Sequence, residues 1–386
     1  MDFDLVIVGA GLVGASFALA LRGAELKLAL VEAQTPVAAG DTWDSRVYAI
    51  SPGSAAFLDG LGAWKRLDRE RICPVHEMQV HGDCANALLQ FSAYESGVSE
   101  LAWIVENRRL QSVLWQALEH QQNLELLCPA RCEALQLRED AAELTLAGGG
   151  TLRARLVVAA DGMHSWVRQA AGIAVRQKSY GQMGVVANFA CAGAHHNTAY
   201  QWFRDDGVLA YLPLPGERMS IVWSTPDAHA AELLALPADA LCARVAAAGE
   251  DALGDLDLLS PALQFPLARL HASRLAAPRI ALIGDAGHVL HPLAGQGVNL
   301  GFGDAAVLAR ALLQREGFRD LGEIRLLRRY ERARAEDILA LAFVTDGLQR
   351  LFAAPGATAA KLRNAGLNLT NALPVVKNLL VRRALG

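Results

Sequence analysis

The chain has 386 residues, with 36 Lys+Arg against 40 Asp+Glu for a formal charge of −4, and 53% of it is hydrophobic while only 20% is charged. At roughly 100–200 residues per domain this length allows two domains, or one large domain with an insertion, around a sizeable core. The composition excludes disorder, collagen and coiled coil, and a near-neutral balance with no basic patch beside aromatics leaves nucleic acid without a binding surface.

The N-terminus carries acids where a signal or transit peptide needs a basic region, and it runs straight into a structural motif. Phe3 to Val8 reads as a buried strand, Gly9-Ala-Gly11-Leu-Val-Gly14 as the turn that follows it, and Leu12 to Arg22 as a helix that is small and apolar almost all round. Leu26 to Val31 reads as the next strand and ends at Glu32. A lone GxGxxG is weak, but here a strand precedes it, a helix follows it, and an acid stands 18 residues past the third glycine, placed for a ribose 2′-hydroxyl. The free N–H groups and partial positive charge at that helix start suit a pyrophosphate. This is a dinucleotide site, and the motif alone does not choose between FAD and NAD.

Farther along, a strand at Arg155 to Ala160 runs into Asp161-Gly162-Met-His-Ser165-Trp-Val-Arg168, and a strand at Arg279 to Ile283 runs into Gly284-Asp285. Dinucleotide strands at the start, the middle and the three-quarter point suit FAD, an extended molecule reached by distant segments. After Gly284-Asp285 a glycine-rich loop, His291-Pro292-Leu-Ala-Gly295-Gln296-Gly297-Val298-Asn299, opens a helix expected over Val298 to Gln314, a second anion site at a helix start. Between these lies a different pattern: Gly184 to Ala190, Gly207 to Leu212 and Met219 to Trp223 read as strands of an inserted mixed domain, followed by one helix across Ala238 to Gly249. Trp202 and Trp223 are placed either in its core or along an apolar substrate cavity, core being the simpler reading, and His195-His196 is read as a solvated turn.

From Leu321 to Arg350 the chain reads as a helix with one solvated, charged face that includes Arg325, Arg328, Arg329, Arg332 and Arg334. The tail Ala354 to Gly386 holds Lys361, Arg363, Lys377, Arg382 and Arg383 and no acid, so it suits either anionic lipid or docking on the body. No apolar run approaches the ~18 residues of a membrane span. The six cysteines, among them a lone Cys128/Cys132 CxxxC, fit a reducing, cytoplasmic setting, with peripheral contact at the inner face of the membrane open to the tail. No metal is expected: His288 and His291 lack the glutamate and the helix of a zincin.

Taken together, Gly9-Ala-Gly11-Leu-Val-Gly14, Asp161-Gly162-Met-His-Ser165-Trp-Val-Arg168 and Gly284-Asp285-Ala-Gly-His288 resemble the three FAD motifs of single-component flavin aromatic hydroxylases of the para-hydroxybenzoate hydroxylase type. Trp43-Asp-Ser-Arg46-Val-Tyr-Ala-Ile-Ser-Pro52, Val105-Glu106-Asn107 and the 291–301 loop resemble the branch that hydroxylates the ring of ubiquinone precursors, and the likeness covers essentially the whole chain. The resemblance implies an α/β, Rossmann-like FAD-binding domain (residues 1–70, 101–178 and 270–340), an inserted mixed α+β substrate domain (71–100 and 179–269) and a C-terminal helical tail (341–386). It implies that Glu32 holds the adenosine ribose and Asp285 the ribityl chain. Arg46 and Asn107 would line the flavin, and Asp161, Gly162 and Arg168 would serve FAD and a visiting NAD(P)H. Pro292, Gly295, Gln296 and Gly297 would lie against the isoalloxazine, with Val298 and Asn299 at the helix start that faces its N1–C2=O edge.

The implied activity is hydroxylation of a polyprenylated phenol through a flavin C4a-hydroperoxide, using NAD(P)H and O₂, with other enzymes of the pathway as candidate partners. A flavin reductase or dehydrogenase, and an assembly protein with structural flavin, are the competing readings.

Overall fold

The computed structural model describes residues 2–82, 87–291, 295 and 297–353. The basic tail from Ala354, and with it Pro292 and Gln296, lies outside the described residues.

Two large sheets organise the chain. In the first, Phe3–Val8 is central and pairs in parallel with Leu28–Val31 on one side and Thr151–Ala159 on the other, with Leu124–Leu127 and Ile280–Leu282 outside them. Leu5, Val6 and Ile7 are fully buried, as expected for a parallel strand covered on both faces. The Leu12–Ala20 helix packs beneath with Phe17 fully enclosed, and truncating such a ring costs about 3–5 kcal/mol. Because these strands run the same way, Val8, Val31, Ala159 and Leu282 all end at one edge. Gly9, Glu32, Asp161 and Asp285, distant in sequence, therefore follow strands that open on the same crevice.

Among the described residues the second sheet has nine strands. Its centre is antiparallel: Leu263–Ala272, Val175–Cys191, Arg218–Pro226, Gly207–Leu214 and Thr198–Arg204 lie side by side, and Glu77–His81 joins Thr198–Arg204 in parallel. The Val175–Cys191 strand spans residue 179, the expected start of the insertion. Alternation sends Val185, Ala187, Phe189, Leu209, Tyr211, Ile221 and Trp223 to one face, where they meet Leu233, Leu241 and Val245. Those last residues come from two helices, Asp227–Ala235 and Ala238–Ala248, where one was expected. The extra helix lies between Pro226 and Pro237, and its alanine-rich run gives little amphipathic signal.

Trp202 and Trp223 belong to this helix-covered face and are core residues. His195 corrects its reading as solvated. It is buried, its Nε2 lies 2.8 Å from the carbonyls of both Leu214 and Gly216, and its Nδ1 accepts from the Asn197 N–H, so the ring staples a turn.

A small third sheet, Val47–Ile50, Ala102–Glu106 and Cys73–Val75, sits between the two large ones. Its residues Val47, Ala49, Cys73, Val75 and Ile104 pack with Leu212 and Leu214 of the second sheet. The Ile324–Ala353 helix crosses behind the first sheet, with Leu326, Leu327 and Tyr330 fully buried. Arg334 is a second correction: it is 5% exposed and turns inward instead of lying on the charged outer face.

Candidate active site

The crevice begins at Gly9. Its φ of +100° and the carbonyl of Ala160, which a Cβ there would meet at 2.4 Å, leave no room for a side chain. Gly14 is tighter still, since a Cβ would stand 2.0 Å from the Gly9 carbonyl oxygen. Gly11 is the opposite case: a Cβ there would meet nothing within 4 Å, and no side chain caps the helix it starts. That space at an uncapped helix start is a cradle for an anion. Glu32 stands beside it and accepts the Ala10 N–H at 2.7 Å through Oε2 and the Gln34 N–H at 3.0 Å through Oε1.

Two more acids line the crevice. Asp161 accepts the Val167 N–H at 3.0 Å through Oδ2, while its buried Oδ1 has no hydrogen-bond partner. Burial pushes its pKa up, against the hydrogen bonds from Ser165 and Val167. Asp285 is open to solvent yet ringed by protein, as expected of a carboxylate in a concave groove. Burial raises its pKa too, opposed by His288 and Arg46 and reinforced by Asp304. Gly162 follows Asp161 with φ +79° and open space at its α-carbon, whereas Arg168 is buried and donates to the carbonyls of Ala286 at 2.8 Å and Met163 at 2.9 Å. Arg168 thus ties the Asp161 turn to the Asp285 turn and presents no free guanidinium.

Arg46 and Asn107 are brought together: the Asn107 N–H donates to the Arg46 carbonyl at 2.9 Å. Asp44, which sequence reasoning did not single out, ties the two segments together, its carboxylate accepting the backbone N–H groups of Arg46 and of Arg108, the residue after Asn107. The Arg46 guanidinium lies 5.5 Å from the centre of the Tyr48 ring. Tyr48, also unanticipated, has its pKa raised by burial, partly offset by Arg46.

Gly295 and the start of the Gly297–Leu313 helix follow. Gly295 has φ +59° with Ala49 beside it, Gly297 is exposed at the start of the Gly297–Leu313 helix, and Val298 is half-buried behind it. Asn299 donates to the Ala49 carbonyl at 2.8 Å and accepts the Ser51 N–H at 3.0 Å, so it fastens the helix start to the small sheet. His288 and His291 diverge, the first toward Asp304 and the second, stacked edge-on against Tyr180, toward the side-chain oxygen of Gln182.

Within the Gly297–Leu313 helix Asp304 is fully buried, and sequence reasoning missed it. Burial alone would raise its pKa, but His288 and Arg334 overcome this and hold it below the usual carboxylate value. The signal was available, a lone acid in the apolar helix run NLGFGDAAVLA.

These features fit a flavin dinucleotide. The Gly11 cradle and helix start suit the pyrophosphate, Glu32 the adenosine ribose, Asp285 and the partnerless Oδ1 of Asp161 the polyol chain, and Arg46, Gly295 and Gly297 the ring.

Comparison with known proteins agrees. The FAD binding domain family matches residues 2–342. The chain is 37% identical to the ubiquinone hydroxylase UbiL of Rhodospirillum rubrum, over 99% of this chain and 89% of that protein. It is 34% identical to the 3-demethoxyubiquinol 3-hydroxylase of Escherichia coli, over 99% of this chain and 98% of that one. Among solved structures, p-nitrophenol 4-monooxygenase PnpA of Pseudomonas putida superposes with a TM-score of 0.81 at 19% identity, covering 99% of this chain and 98% of that one. With the crevice and these likenesses in hand, the chain belongs to the FAD-binding monooxygenase family that contains the ubiquinone-biosynthesis hydroxylases.

Proposed function

We propose that this FAD-dependent monooxygenase hydroxylates the aromatic ring of a polyprenylated phenol in ubiquinone biosynthesis. The balanced reaction consumes the ring C–H, O₂, NAD(P)H and a proton, and releases the phenol with one more hydroxyl, water and NAD(P)⁺. Flavin held in this crevice would supply the electron transfer from nicotinamide to oxygen, and the protein's part is to orient the ring and exclude water.

The observation that supports the choice of substrate is the face of the large sheet opposite its helix-covered core. Register pairs Gly184 with Phe265 and Ser224, Val186 with Leu263 and Val222, and Asn188 with Ser220, all on the face opposite the helix-covered core. These positions carry no charge, which suits a neutral phenol with an apolar chain; Arg218, two residues before Ser220 on the same face, lies over the Trp43 ring. Leu263 is 54% exposed and Phe265 40%, an apolar margin where this wall meets solvent. The Phe265 ring covers Gly184, whose missing side chain makes the room. A prenyl chain leaving along Phe265 and Leu263 would exchange water for apolar contact at about 25 cal/mol per Å².

No helix among the described residues is long and apolar enough to cross a membrane. Access to a bilayer-held substrate is assigned to the basic tail, supported by Leu339 and Phe343, which stand exposed on the helix leading into it. The test is turnover of the purified holoenzyme with a prenylated phenol under isotope-labelled O₂. The expected product carries one labelled oxygen, with NAD(P)H consumed in step. NAD(P)H oxidation that alters the substrate with no label incorporated would replace this reading with the reductase, and flavin that stays oxidised would replace it with the assembly protein.

A further inference from the structure

We propose that Asp304, held between His288 and Arg334, is a positioning residue for the flavin: it locks the Gly284-Asp285 turn to the start of the Gly297–Leu313 helix, so that the two elements flanking the cofactor keep one register. The inference rests on flavin binding by this crevice and not on the choice of ring substrate.

Three groups from three separate elements converge on one carboxylate. Oδ2 of Asp304 accepts the Gly284 N–H at 2.9 Å and hydrogen-bonds His288 Nε2 at 2.6 Å, and Oδ1 accepts Arg334 Nε–H at 2.8 Å. Arg334 also donates through Nη2 to the Leu300 carbonyl in the first turn of the helix, at 3.1 Å. A Cβ on Gly303 would stand 2.8 Å from that same guanidinium, so the glycine is what lets Arg334 lie flat on the helix. One turn earlier on the terminal helix, the Tyr330 hydroxyl donates to the Leu282 carbonyl at 2.7 Å, two residues before Gly284. The terminal helix therefore grips both the strand that delivers Asp285 and the helix that opens at the glycine loop.

Stability does not explain this arrangement. A buried ion network of this kind is often no more stable than apolar residues of the same volume, because desolvation offsets the attraction. Its distinctive property is geometric, since a carboxylate with three fixed donors admits one arrangement of the elements that supply them. The Gly284 N–H is adjacent to Asp285, so a loosened Asp304 moves the acid that faces the polyol chain. His288 also pairs with His271 across the edge strand of the large sheet, which brings the second sheet into the same register.

The experiment compares His288→Leu, which removes the hydrogen bond to Asp304, with His288→Gln, which keeps a donor, and with Leu308→Ala, a core truncation one turn farther along the same helix. Holoenzyme of each is diluted and flavin release followed by recovered FAD fluorescence, alongside Tm, the flavin absorbance spectrum and its midpoint potential. His288→Leu is expected to weaken FAD retention about tenfold or more and to shift spectrum and potential, while His288→Gln stays within about threefold of the parent. Leu308→Ala lowers Tm with retention, spectrum and potential unchanged. The proposal is overturned if His288→Leu retains flavin like the parent, or if Leu308→Ala loses flavin as readily as His288→Leu. Failure of the ring-substrate reading would show in labelled turnover and leave these readouts untouched.

Discussion

The two large sheets present their functional sides in different ways. The parallel sheet shows the cofactor its edge, where strand ends deliver Gly9, Glu32, Asp161 and Asp285 to one crevice. The antiparallel sheet, on the reading proposed above, offers the substrate a face, and its other face is filled by two helices. An edge site depends on backbone: which residue turns the chain, and whether a Cβ fits there. A face site depends on register, because shifting a strand by one residue exchanges the wall that holds Val186 for the one that holds Val185. The first sort of site tolerates almost no change at a few positions, and the second tolerates many changes at many.

The sharpest way to break this contrast is within the glycine motif. Gly14→Ala drives a methyl into the Gly9 carbonyl, and we expect a loss of about 3 kcal/mol, the upper end for overpacking, together with loss of FAD. Gly11→Ala meets nothing within 4 Å, so its Tm in the flavin-free protein stays that of the parent while FAD binding weakens about tenfold, or ~1.4 kcal/mol. Thermal melts with and without FAD separate the two. A Gly11→Ala protein that keeps full flavin affinity would remove the pyrophosphate from that cradle.

The same distinction explains what was legible. Strands at 3–8 and 28–31, the helix from Leu12 and the acids at three strand ends could be read because steric demands on a turn leave glycines at fixed spacing. The nine-stranded sheet could be sensed only as alternation, since its pairing joins Glu77–His81 to Thr198–Arg204 across more than a hundred residues of chain. Side-chain roles were hardest wherever a residue's partner lay far off. Arg334 looks like one more charge on a solvated helix until Asp304, thirty residues earlier, is placed against it. Asn299 is placed by sequence at the helix start beside the flavin, and nothing in the sequence signals that its amide also engages Ala49 and Ser51, about 250 residues away.

Asn299 supplies the next test, because it joins the cofactor loop to the sheet between the two regions. Asn299→Ala leaves the Ser51 N–H and the Ala49 carbonyl without this partner, and we expect a loss of about 2 kcal/mol in a denaturant melt. A change below about 0.5 kcal/mol, the range of ordinary surface substitutions, would mean the loop is held by something else.

The face site predicts the reverse balance. Phe265→Asp removes a ring that is 40% exposed and packs over Gly184, so we expect a loss of about 1 kcal/mol in stability with FAD content unchanged, while KM for a prenylated phenol rises about tenfold. Steady-state kinetics with long- and short-chain phenols would decide it: equal KM changes for both would place Phe265 at the ring and not along the chain.

The smallest expected effect comes from Asp285, where edge geometry and charge meet. Burial in the groove raises its pKa above the unfolded value of about 3.9, with His288 and Arg46 opposing and Asp304 adding to the rise. A raised carboxyl pKa means that the folded, flavin-free protein holds this proton more tightly than the unfolded chain. Above the raised pKa the ionised group therefore destabilises the fold, and the penalty fades as pH falls through that value. Asp285→Asn removes the penalty, so the flavin-free variant should melt slightly above the parent at pH 7, with the difference shrinking on acidification and FAD retention weakened throughout. Because Asp304 is shifted the other way, its own contribution is intact above about pH 4 and lost only below, as pH falls through its depressed pKa. The two acids thus act in separable windows. A flavin-free Asp285→Asn protein that melts below the parent at pH 7 would show that this carboxylate is held for structure and not kept, at a cost to the empty fold, for the cofactor.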